Sequence, residues 1–430
     1  MNYAQYSKTQ LNEESAALSA ALDAYKSRKI KLDMSRGKPG ADQLDLSCDM
    51  LYDKEMLGDC LAEDGFDCRN YGLLDGISES RRLFAEILEV PEKNVIAAGN
   101  SSLNLMYDEV MRAMMFGAVG GTCPWSALPK VKFLCPVPGY DRHFTICEAF
   151  GIEMIPVQMT EQGPDMDEVA RLVSSDDSIR GIWCVPKYSN PEGVVYSDET
   201  VRAFAALKPA APDFRIFWDN AYIVHPVYGE AAVQLNLFSE AAKHGNENMP
   251  LIFTSTSKIT FPGAGVAAFA ASDANITHTK KLMSAQTIGY DKLNQLRHAR
   301  YFKNTADIAA HMQKHAAIVR PKFDAVFAEF EKLSPYGIAD WSRPQGGYFI
   351  SLNVMDGCAK RVYNLAKEAG VTLTPAGATF PYGADPRDRN IRIAPTYPSA
   401  ADLKTAAEIL CICVRLASVE ALLAVYGTAK

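Results

Sequence analysis

One lysine, Lys258, lies in the stretch FTSTSKITFPGAGVAAF (253–269), between an apolar run rich in hydroxyl residues and a Pro-Gly pair. Most isolated lysines are solvated surface groups. A lysine placed directly after a buried strand is partly desolvated, which lowers the pKa of its amine and makes it available for Schiff-base formation. The stretch therefore favours a Schiff-base enzyme, and such an enzyme needs a carbonyl cofactor.

Pyridoxal phosphate fits this chemistry if the chain also supplies a carboxylate for the ring nitrogen, donors for the ring phenolate and a site for the phosphate. Asp219 ends the apolar run FRIFW and could keep the ring nitrogen protonated. Tyr222 and Asn190 could both donate to the phenolate oxygen. Asp219 alone could equally cap a helix or turn, and Asn190-Pro191 alone indicates only a turn.

A phosphate site is predicted in AAGNSSLNLMYDEVM, where Gly99, Asn100, Ser101 and Ser102 stand between a predicted strand and an amphipathic helix. Backbone N–H groups and hydroxyls at a helix N-terminus bind anions, although serine and asparagine also cap helices that bind nothing. Tyr140, in CPVPGYDRHF, could stack on the cofactor ring. A single aromatic residue is more often part of a core.

The elements that would position these residues alternate between helices and short apolar runs from about Tyr71 to Ala271. This alternation predicts a largely parallel sheet covered by helices, because parallel strands need crossover connections. In open α/β sheets ligands lie beyond the carboxyl ends of the strands. The predicted strands are NVIAAGN (94–100), VKFLCPVPGY (131–140), EMIPVQM (153–159), IRGIWCVP (179–186), FRIFWDNAY (214–222) and PLIFTSTS (250–257).

The remaining chain predicts a second, smaller domain. A helical pattern at 307–333 is long enough to bridge two domains, and Pro321 within it predicts a kink or a break. After it, GGYFISLNV, a helix near 357–369, VTLTPAG, NIRIAPT and an amphipathic helix at 400–426 indicate an α+β block. We therefore expect an N-terminal segment belonging to the small domain (1–60), a large cofactor-binding domain (61–310) and a C-terminal small domain (311–430).

The composition limits the function classes. The chain has 430 residues, 48% of them hydrophobic and 22% charged, as in soluble globular proteins. Its net charge of −7 argues against nucleic acid as the main partner. The N-terminus lacks a signal-peptide pattern, and we expect no apolar run that approaches the roughly 20 residues of a membrane span. Ten cysteines without CxxC spacing indicate reduced thiols in a cytoplasmic protein, with neither disulfides nor a metal site.

The motifs NYGLLDG, GNSS, PGYD, SNPEG, DNAY, STSK and NIRIAP follow one another from Tyr71 to Pro395. In this order and at about these spacings they resemble the fold-type I pyridoxal-phosphate enzymes of the aminotransferase class I and II superfamily, over nearly the whole chain. DMSRGKP and QLRHARYFKN look like a branch with bacterial aspartate aminotransferases related to the catalytic domain of pyridoxal-dependent regulators. The resemblance implies an α/β fold, with a mostly parallel seven-stranded sheet in the large domain and a smaller α+β domain.

The resemblance also implies roles at the cofactor. Lys258 would bind the cofactor as a Schiff base and, once released by substrate, would move the substrate proton. Asp219 would hold the ring nitrogen, Asn190 and Tyr222 would hold the phenolate, and Tyr140 would stack on the ring. The residues expected around the phosphate are Asn100, Ser101, Ser102, Ser255 and Ser257. Tyr71 would reach the phosphate of the neighbouring subunit, which implies a homodimer with shared active sites.

For the substrate, the resemblance implies that Arg392 in NIRIAP binds the α-carboxylate as a bidentate fork. A second arginine would be needed for a dicarboxylate, and Arg36 in SRGKP is the first choice, followed by Arg297 and Arg300. On this basis the expected reaction is a ping-pong amino transfer from aspartate to 2-oxoglutarate.

One position departs from the family pattern. Related sequences usually carry an arginine three residues after the proline of the Pro-Gly pair, where it neutralises the phosphate, whereas this chain has Gly265. Either another cation compensates, with Lys187 as the nearest guess, or hydroxyls and the helix N-terminus suffice.

Three other functions remain open from the sequence. A pyridoxal-phosphate lyase or decarboxylase could use the same cofactor residues. A ligand-sensing module like those fused to DNA-binding domains is disfavoured, because the roughly 30 residues before SRGKP show no helix-turn-helix pattern. A cofactor-free α/β protein is the third alternative.

Overall fold

The computed structural model describes residues 2–428, and this range contains fourteen α-helices and thirteen β-strands. The helices are α1 (Lys8–Ser27), α2 (Ala41–Asp45), α3 (Asp49–Tyr52), α4 (Ser78–Leu88), α5 (Ser102–Phe116), α6 (Asp141–Ala149), α7 (Met166–Ser175), α8 (Asp198–Ala205), α9 (Leu237–Lys243), α10 (Asp273–Gln286), α11 (Lys292–Tyr301), α12 (Thr305–Phe330), α13 (Ala359–Glu368) and α14 (Ala400–Thr428). The strands are β1 (Leu32–Asp33), β2 (Val95–Ala97), β3 (Lys132–Val137), β4 (Glu153–Thr160), β5 (Gly163–Pro164), β6 (Ile179–Cys184), β7 (Arg215–Asp219), β8 (Pro250–Ser255), β9 (Ala267–Ala271), β10 (Ala339–Trp341), β11 (Ile350–Val354), β12 (Val371–Thr372) and β13 (Asn390–Ile393).

Eight strands form one large sheet in the order β2-β9-β8-β7-β6-β3-β4-β5. The run β8-β7-β6-β3-β4 is parallel throughout, whereas β9 is antiparallel to both β2 and β8. The mostly parallel sheet expected from the sequence is therefore confirmed. The two-residue strand β5 pairs antiparallel with β4 and adds an eighth strand to the seven expected.

The central strands β6, β7 and β8 are buried at every position. Helices cover both faces of such a sheet, so the strands are continuous apolar runs that do not alternate with polar residues. Apart from Arg180 and Arg215 near the amino ends, their charged residues lie at or beyond the carboxyl ends. Asp219 is the last residue of β7, Lys258 follows β8, Asn190 follows β6 and Tyr140 follows β3, which places all four at the same edge.

A second core surrounds a three-stranded antiparallel sheet, β10-β11-β13. It includes buried residues of α1, α12, α13 and α14, and the parallel pair β1-β12 attaches the N-terminal segment to it. Helix α12 connects the two cores: Ile308 and Met312 pack under the large sheet, and Val319 and Phe323 pack in the second core. The sequence predicts a kink or a break at Pro321. The helix continues through this residue, so it is not broken there, because packing on both sides outweighs one lost backbone hydrogen bond.

Helix α14 corrects the expectation that no apolar run approaches the length of a membrane span. Residues Ala400–Tyr426 are long and apolar enough by length and composition, with a mean hydropathy of 2.1 over the most apolar window, and half of that window is buried inside the protein. The buried side of the helix packs against α1, α12 and α13. The apolar character is thus explained in part by the second core, which a linear reading of hydropathy does not reveal.

Each of the ten cysteines is a free thiol. Across residues 2–428, no group of three or more His, Cys, Asp or Glu side chains is arranged to hold a metal ion.

Candidate active site

Lys258 lies in a tight turn directly after the buried strand β8. The turn is closed by hydrogen bonds from the N–H groups of Ile259 and Thr260 to the carbonyl of Thr256, at 2.9 and 2.8 Å. The Lys258 Nζ lies 4.7 Å from the centroid of the Tyr222 ring. Although part of the side chain is accessible, the ammonium lies deep among protein atoms, and this burial lowers the pKa of Lys258 against the opposing effect of Asp219. A lowered pKa is the condition under which the amine can act as a nucleophile.

Asp219 is 3% exposed, and one of its two carboxylate oxygens has a hydrogen-bond partner. Its Oδ2 lies 3.2 Å from Nε2 of His143, whose ring stacks on Trp183 at 4.5 Å. Its Oδ1 is buried and has no hydrogen-bond partner within the described chain. A buried carboxylate oxygen without a donor is costly, so this atom is suited to a ligand N–H such as a protonated pyridine nitrogen.

His143 was not identified from the sequence. It stands one helical turn after Tyr140, at the start of α6, and that spacing in PGYDRHF is the signal that could have revealed it. The Tyr140 and His143 rings meet edge to face at 5.0 Å. His143 therefore supports two candidate residues at once, since it holds one oxygen of Asp219 and packs against Tyr140.

Two tyrosines next to Lys258 and Asp219 are protonated at neutral pH. Burial raises the pKa of Tyr140 to about 12, with a contribution from the charge of Asp219, and burial also raises the pKa of Tyr222. Tyr222 is therefore available as an O–H donor. Asn190 is buried beside them, with its Oδ1 3.4 Å from Nη1 of Arg392.

The candidate phosphate residues lie on two loops that are hydrogen-bonded to each other. Ser257 Oγ donates to the Asn100 carbonyl at 2.6 Å, and Ser255 Oγ lies 3.1 Å from Ser257 Oγ. Ser101 is the N-cap of α5, yet in the described chain its hydroxyl accepts no capping hydrogen bond, and Ser102 begins the helix. This helix N-terminus is surrounded by hydroxyls and has no acidic residue in its first turn, which favours an anion.

The structure gives a steric reason for Gly265. A Cβ at this position would lie 3.0 Å from Ser257 N and 3.1 Å from Ser257 Cα. Both are backbone atoms next to Lys258, so a side chain at position 265 would require the lysine turn to shift by a few tenths of an ångström. Lys187, the compensating cation suggested by the sequence, lines a separate small cavity with Glu89 and Gln234, and none of the phosphate-site serines lines that cavity.

We predict that Gly265→Ala lowers the free energy of unfolding by about 1–3 kcal/mol, because the methyl group is forced against backbone atoms of the lysine turn. Urea unfolding of the cofactor-free protein measures this change. Gly263→Ala is the matched control, two residues away: no described atom lies within 4 Å of its added Cβ. Equal losses in the two variants would contradict the steric argument.

Arg392 is 7% exposed, and its guanidinium lies over the Phe349 ring at 5.0 Å from the centroid. Its Nη1 forms a 2.7 Å ion pair with Asp141 Oδ1, and its Nη2 donates to Thr374 Oγ1 at 3.3 Å. Its Nε is buried without a hydrogen-bond partner among residues 2–428. The structure thus places a buried arginine fork beside Asn190, at the edge where Lys258 and Asp219 lie.

The three arginines suggested for a distal carboxylate differ in their surroundings. Arg36 is exposed on a segment that runs beside Arg392: Gly37 packs against the Phe349 ring, and the Ser35 carbonyl accepts from Thr374 Oγ1 at 3.0 Å. Arg297 Nη2 donates to Asn294 Oδ1 at 2.5 Å. Arg300 instead donates to the carbonyls of Leu57 and Leu61, at 2.6 and 2.9 Å, which gives it a structural task.

Tyr71 is 79% exposed in the single chain. Its loop is packed against the segment before α11, since a Cβ on Gly289 would lie 2.5 Å from the Gly72 carbonyl oxygen. The single chain therefore fixes the loop but leaves the Tyr71 ring facing outward.

This fold and this constellation define a class: an α/β protein with a lysine, a carboxylate and an anion site at one sheet edge, as in fold-type I aminotransferases. Solved structures of aminotransferases share this fold. An aspartate transaminase from Corynebacterium glutamicum is 43% identical, with a TM-score of 0.95, over 98% of this chain and 99% of that one. An α-aminoadipate aminotransferase from Thermus thermophilus shares the fold at 18% identity, with a TM-score of 0.72 over 95% of this chain and 98% of that one.

The sequence comparisons place the chain more narrowly. A Mycolicibacterium smegmatis protein that carries an aminotransferase name is 49% identical over 399 residues, 92% of this chain and 93% of the relative. A Corynebacterium glutamicum aspartate aminotransferase is 46% identical over 399 residues, 93% of this chain and 92% of the relative. The family model described as aspartate amino-transferase matches residues 6–425, so the chain belongs to that family and is an aminotransferase.

Proposed function

We propose that this aminotransferase uses pyridoxal 5′-phosphate to transfer the amino group of L-aspartate to 2-oxoglutarate in a ping-pong reaction. The observation that carries the proposal is Asp219 Oδ1, a buried carboxylate oxygen without a partner in the described chain, at the same sheet edge as the desolvated Lys258. The unused capping hydroxyl of Ser101 at the N-terminus of α5 is suited to the phosphate. These groups match the amine, ring-nitrogen and phosphate requirements of this cofactor.

When bound, pyridoxal phosphate supplies an electron sink for the negative charge left on the substrate carbon after proton loss. The chain's own residues do the rest. Lys258 holds the cofactor in the resting enzyme and then carries the proton to and from the substrate Cα. Asp219 would keep a positive charge on the ring nitrogen, and Asn190 and Tyr222 would donate hydrogen bonds to the phenolate. Tyr140 would pack on the ring and exclude water.

The phosphate is assigned to Asn100, Ser101, Ser102, Ser255 and Ser257, together with the first backbone N–H groups of α5. No arginine follows Lys258 at Gly265, so hydroxyls and the helix N-terminus hold the phosphate within one chain. Tyr71 is assigned to the phosphate of a second copy in a homodimer, which would bury its exposed ring. We also propose a cytoplasmic location, in line with the free cysteines.

Arg392 is assigned to the α-carboxylate and Arg36 to the distal carboxylate of aspartate. The preference for aspartate is supported by the name of the 46% identical relative and by the position of Arg36 beside the Arg392 site. In a ping-pong reaction both substrates use the same site in turn, so 2-oxoglutarate would meet the same two arginines.

The test is to mix the cofactor-loaded protein with single amino acids and follow the cofactor absorbance. Aspartate and glutamate should each convert it to the spectrum of the amine form, and 2-oxoglutarate should then restore the starting spectrum. No conversion with aspartate would remove the substrate assignment. Turnover of aspartate without any oxo-acid acceptor would indicate a lyase or decarboxylase.

We predict that Arg36→Ala lowers kcat/KM for aspartate by about 10- to 100-fold, the cost of losing hydrogen bonds to a charged group. Alanine as donor is the internal control, because it has no distal carboxylate and should be affected by less than about threefold. Arg300→Ala tests whether Arg300 binds the distal carboxylate instead. Because Arg300 already donates to loop carbonyls, we do not expect it to have this role. An unchanged value for aspartate in Arg36→Ala would show that another residue binds the distal carboxylate.

A further inference from the structure

Arg392 is already paired with an acidic residue of its own chain. Asp141 Oδ1 lies 2.7 Å from Nη1, and the Asp141 side chain is 31% exposed whereas Arg392 is 7% exposed. The pair joins the start of α6, beside the large sheet, to strand β13 of the second core. It therefore links the two parts of the protein at the place assigned to the substrate carboxylate.

The donors of Arg392 offer an incoming carboxylate two pairs of nitrogens. Nε is buried and has no hydrogen-bond partner among residues 2–428, and Nη2 has only a 3.3 Å contact with Thr374 Oγ1. Bidentate binding of a carboxylate uses either both Nη atoms or Nε with one of them. The first mode requires Nη1, which Asp141 holds, and the second places the ligand on a guanidinium whose charge Asp141 already partly neutralises.

We propose that Asp141 is a built-in competitor that sets the affinity of the Arg392 fork for carboxylates. A substrate carboxylate either displaces Asp141 from Nη1 or shares the guanidinium with it, and in both cases it meets a second negative charge. The affinity of the site for amino acids and oxo acids is thereby reduced, and product release is favoured. This inference rests on the proposed function of Arg392 as the α-carboxylate site.

The size of the effect follows from electrostatics. Two carboxylates about 5 Å apart repel each other enough to weaken binding by about fourfold in water, and by more where protein excludes water. Asn190 Oδ1 also lies near Nη1, at 3.4 Å. It belongs to an uncharged amide, so it adds no comparable repulsion to an incoming carboxylate. Asp141→Asn keeps the shape and the oxygen that faces Nη1 but removes the charge.

The experiment measures the dissociation constant of succinate, a dicarboxylate without an amino group, by calorimetry on the cofactor-loaded enzyme. Asp141→Asn should bind succinate about tenfold more tightly than the wild type. The KM values for aspartate and 2-oxoglutarate should fall together, because both half-reactions use Arg392. Asp141→Ser is the second variant, and it should shift binding in the same direction if the asparagine variant folds poorly.

Asp356→Asn is the control for removing one negative charge, since Asp356 forms an exposed ion pair with Arg387 and both side chains are more than half exposed. It should leave succinate binding unchanged. Unchanged or weaker succinate binding in Asp141→Asn would overturn the inference, and weaker binding would identify Asp141 as a group that positions Arg392. The calorimetry needs no turnover, so the effect of Asp141 on succinate binding can be measured even in an enzyme that does not transaminate aspartate. Failure of the wild type to transaminate aspartate would refute only the proposed substrate.

Discussion

Lys258→Ala is expected to lower the rate of amino transfer by at least about 10⁴-fold, because it removes both the covalent attachment of the cofactor and the group that moves the substrate proton. The measurement is kcat/KM with aspartate and 2-oxoglutarate, together with the cofactor spectrum. The absorbance band of the lysine-bound cofactor should be absent from the variant. No other lysine is expected to replace Lys258, since its amine is placed by the turn at Thr256 and by the Tyr222 ring.

Lys187→Ala is the matched control for Lys258→Ala. Burial lowers the pKa of both lysines, but Lys187 lines a different cavity beside Glu89. Its replacement should leave kcat within about threefold of the wild type. If Lys258→Ala retained more than about one hundredth of the wild-type activity, the assignment of Lys258 as the proton-moving group would be wrong.

Asp219→Asn should lower kcat by about 10²- to 10³-fold, because a buried charge that stabilises the developing charge of the reaction is removed. Cofactor affinity should fall as well, which equilibrium dialysis measures. The cofactor-free protein should behave differently. Its carboxylate is buried with Oδ1 unpartnered in the described chain, so the neutral variant should be as stable as the wild type or more stable by about 1 kcal/mol.

This opposition between function and stability distinguishes the role assigned to Asp219 from a structural one. A structural carboxylate would lose stability on replacement in both the cofactor-free and the cofactor-loaded protein. Asp219→Glu keeps the charge and should retain more activity than Asp219→Asn, although the extra methylene strains the contact with His143. A large loss of stability in cofactor-free Asp219→Asn would contradict the assignment of Oδ1 as a ligand-binding atom.

The parallel sheet could be predicted because its signal is local. Strands β3, β4, β6, β7 and β8 are short apolar runs between helices, and each was anticipated from the sequence within a few residues. Strand β9 was not, because AAFAA has little β propensity and becomes a strand only by pairing between β2 and β8. The apolar length of α14 was visible in the sequence and was underestimated, whereas the burial of half of its most apolar window is a tertiary fact.

The site residues that could be predicted are those with a reactive or charged side chain next to the end of a predicted strand. A lysine after an apolar strand, an aspartate at the end of another and a serine-rich helix start are visible in one dimension. His143 and Asp141 are equally close to the site, but nothing in PGYDRHF states that one contacts Asp219 and the other Arg392. Such contacts join residues far apart in the chain, so local patterns do not encode them.

By itself the sequence determined most strands of the parallel sheet and the groups able to do chemistry, because these depend on residues close together in the chain, and the order of its motifs indicated the family. Only the tertiary structure decided which of those groups have partners. It showed an unsatisfied oxygen on Asp219, a close backbone contact at Gly265 that leaves little room for a side chain, and a carboxylate already bound to Arg392. The reason is physical: hydrogen-bond satisfaction, close approach and charge pairing depend on distances across the fold.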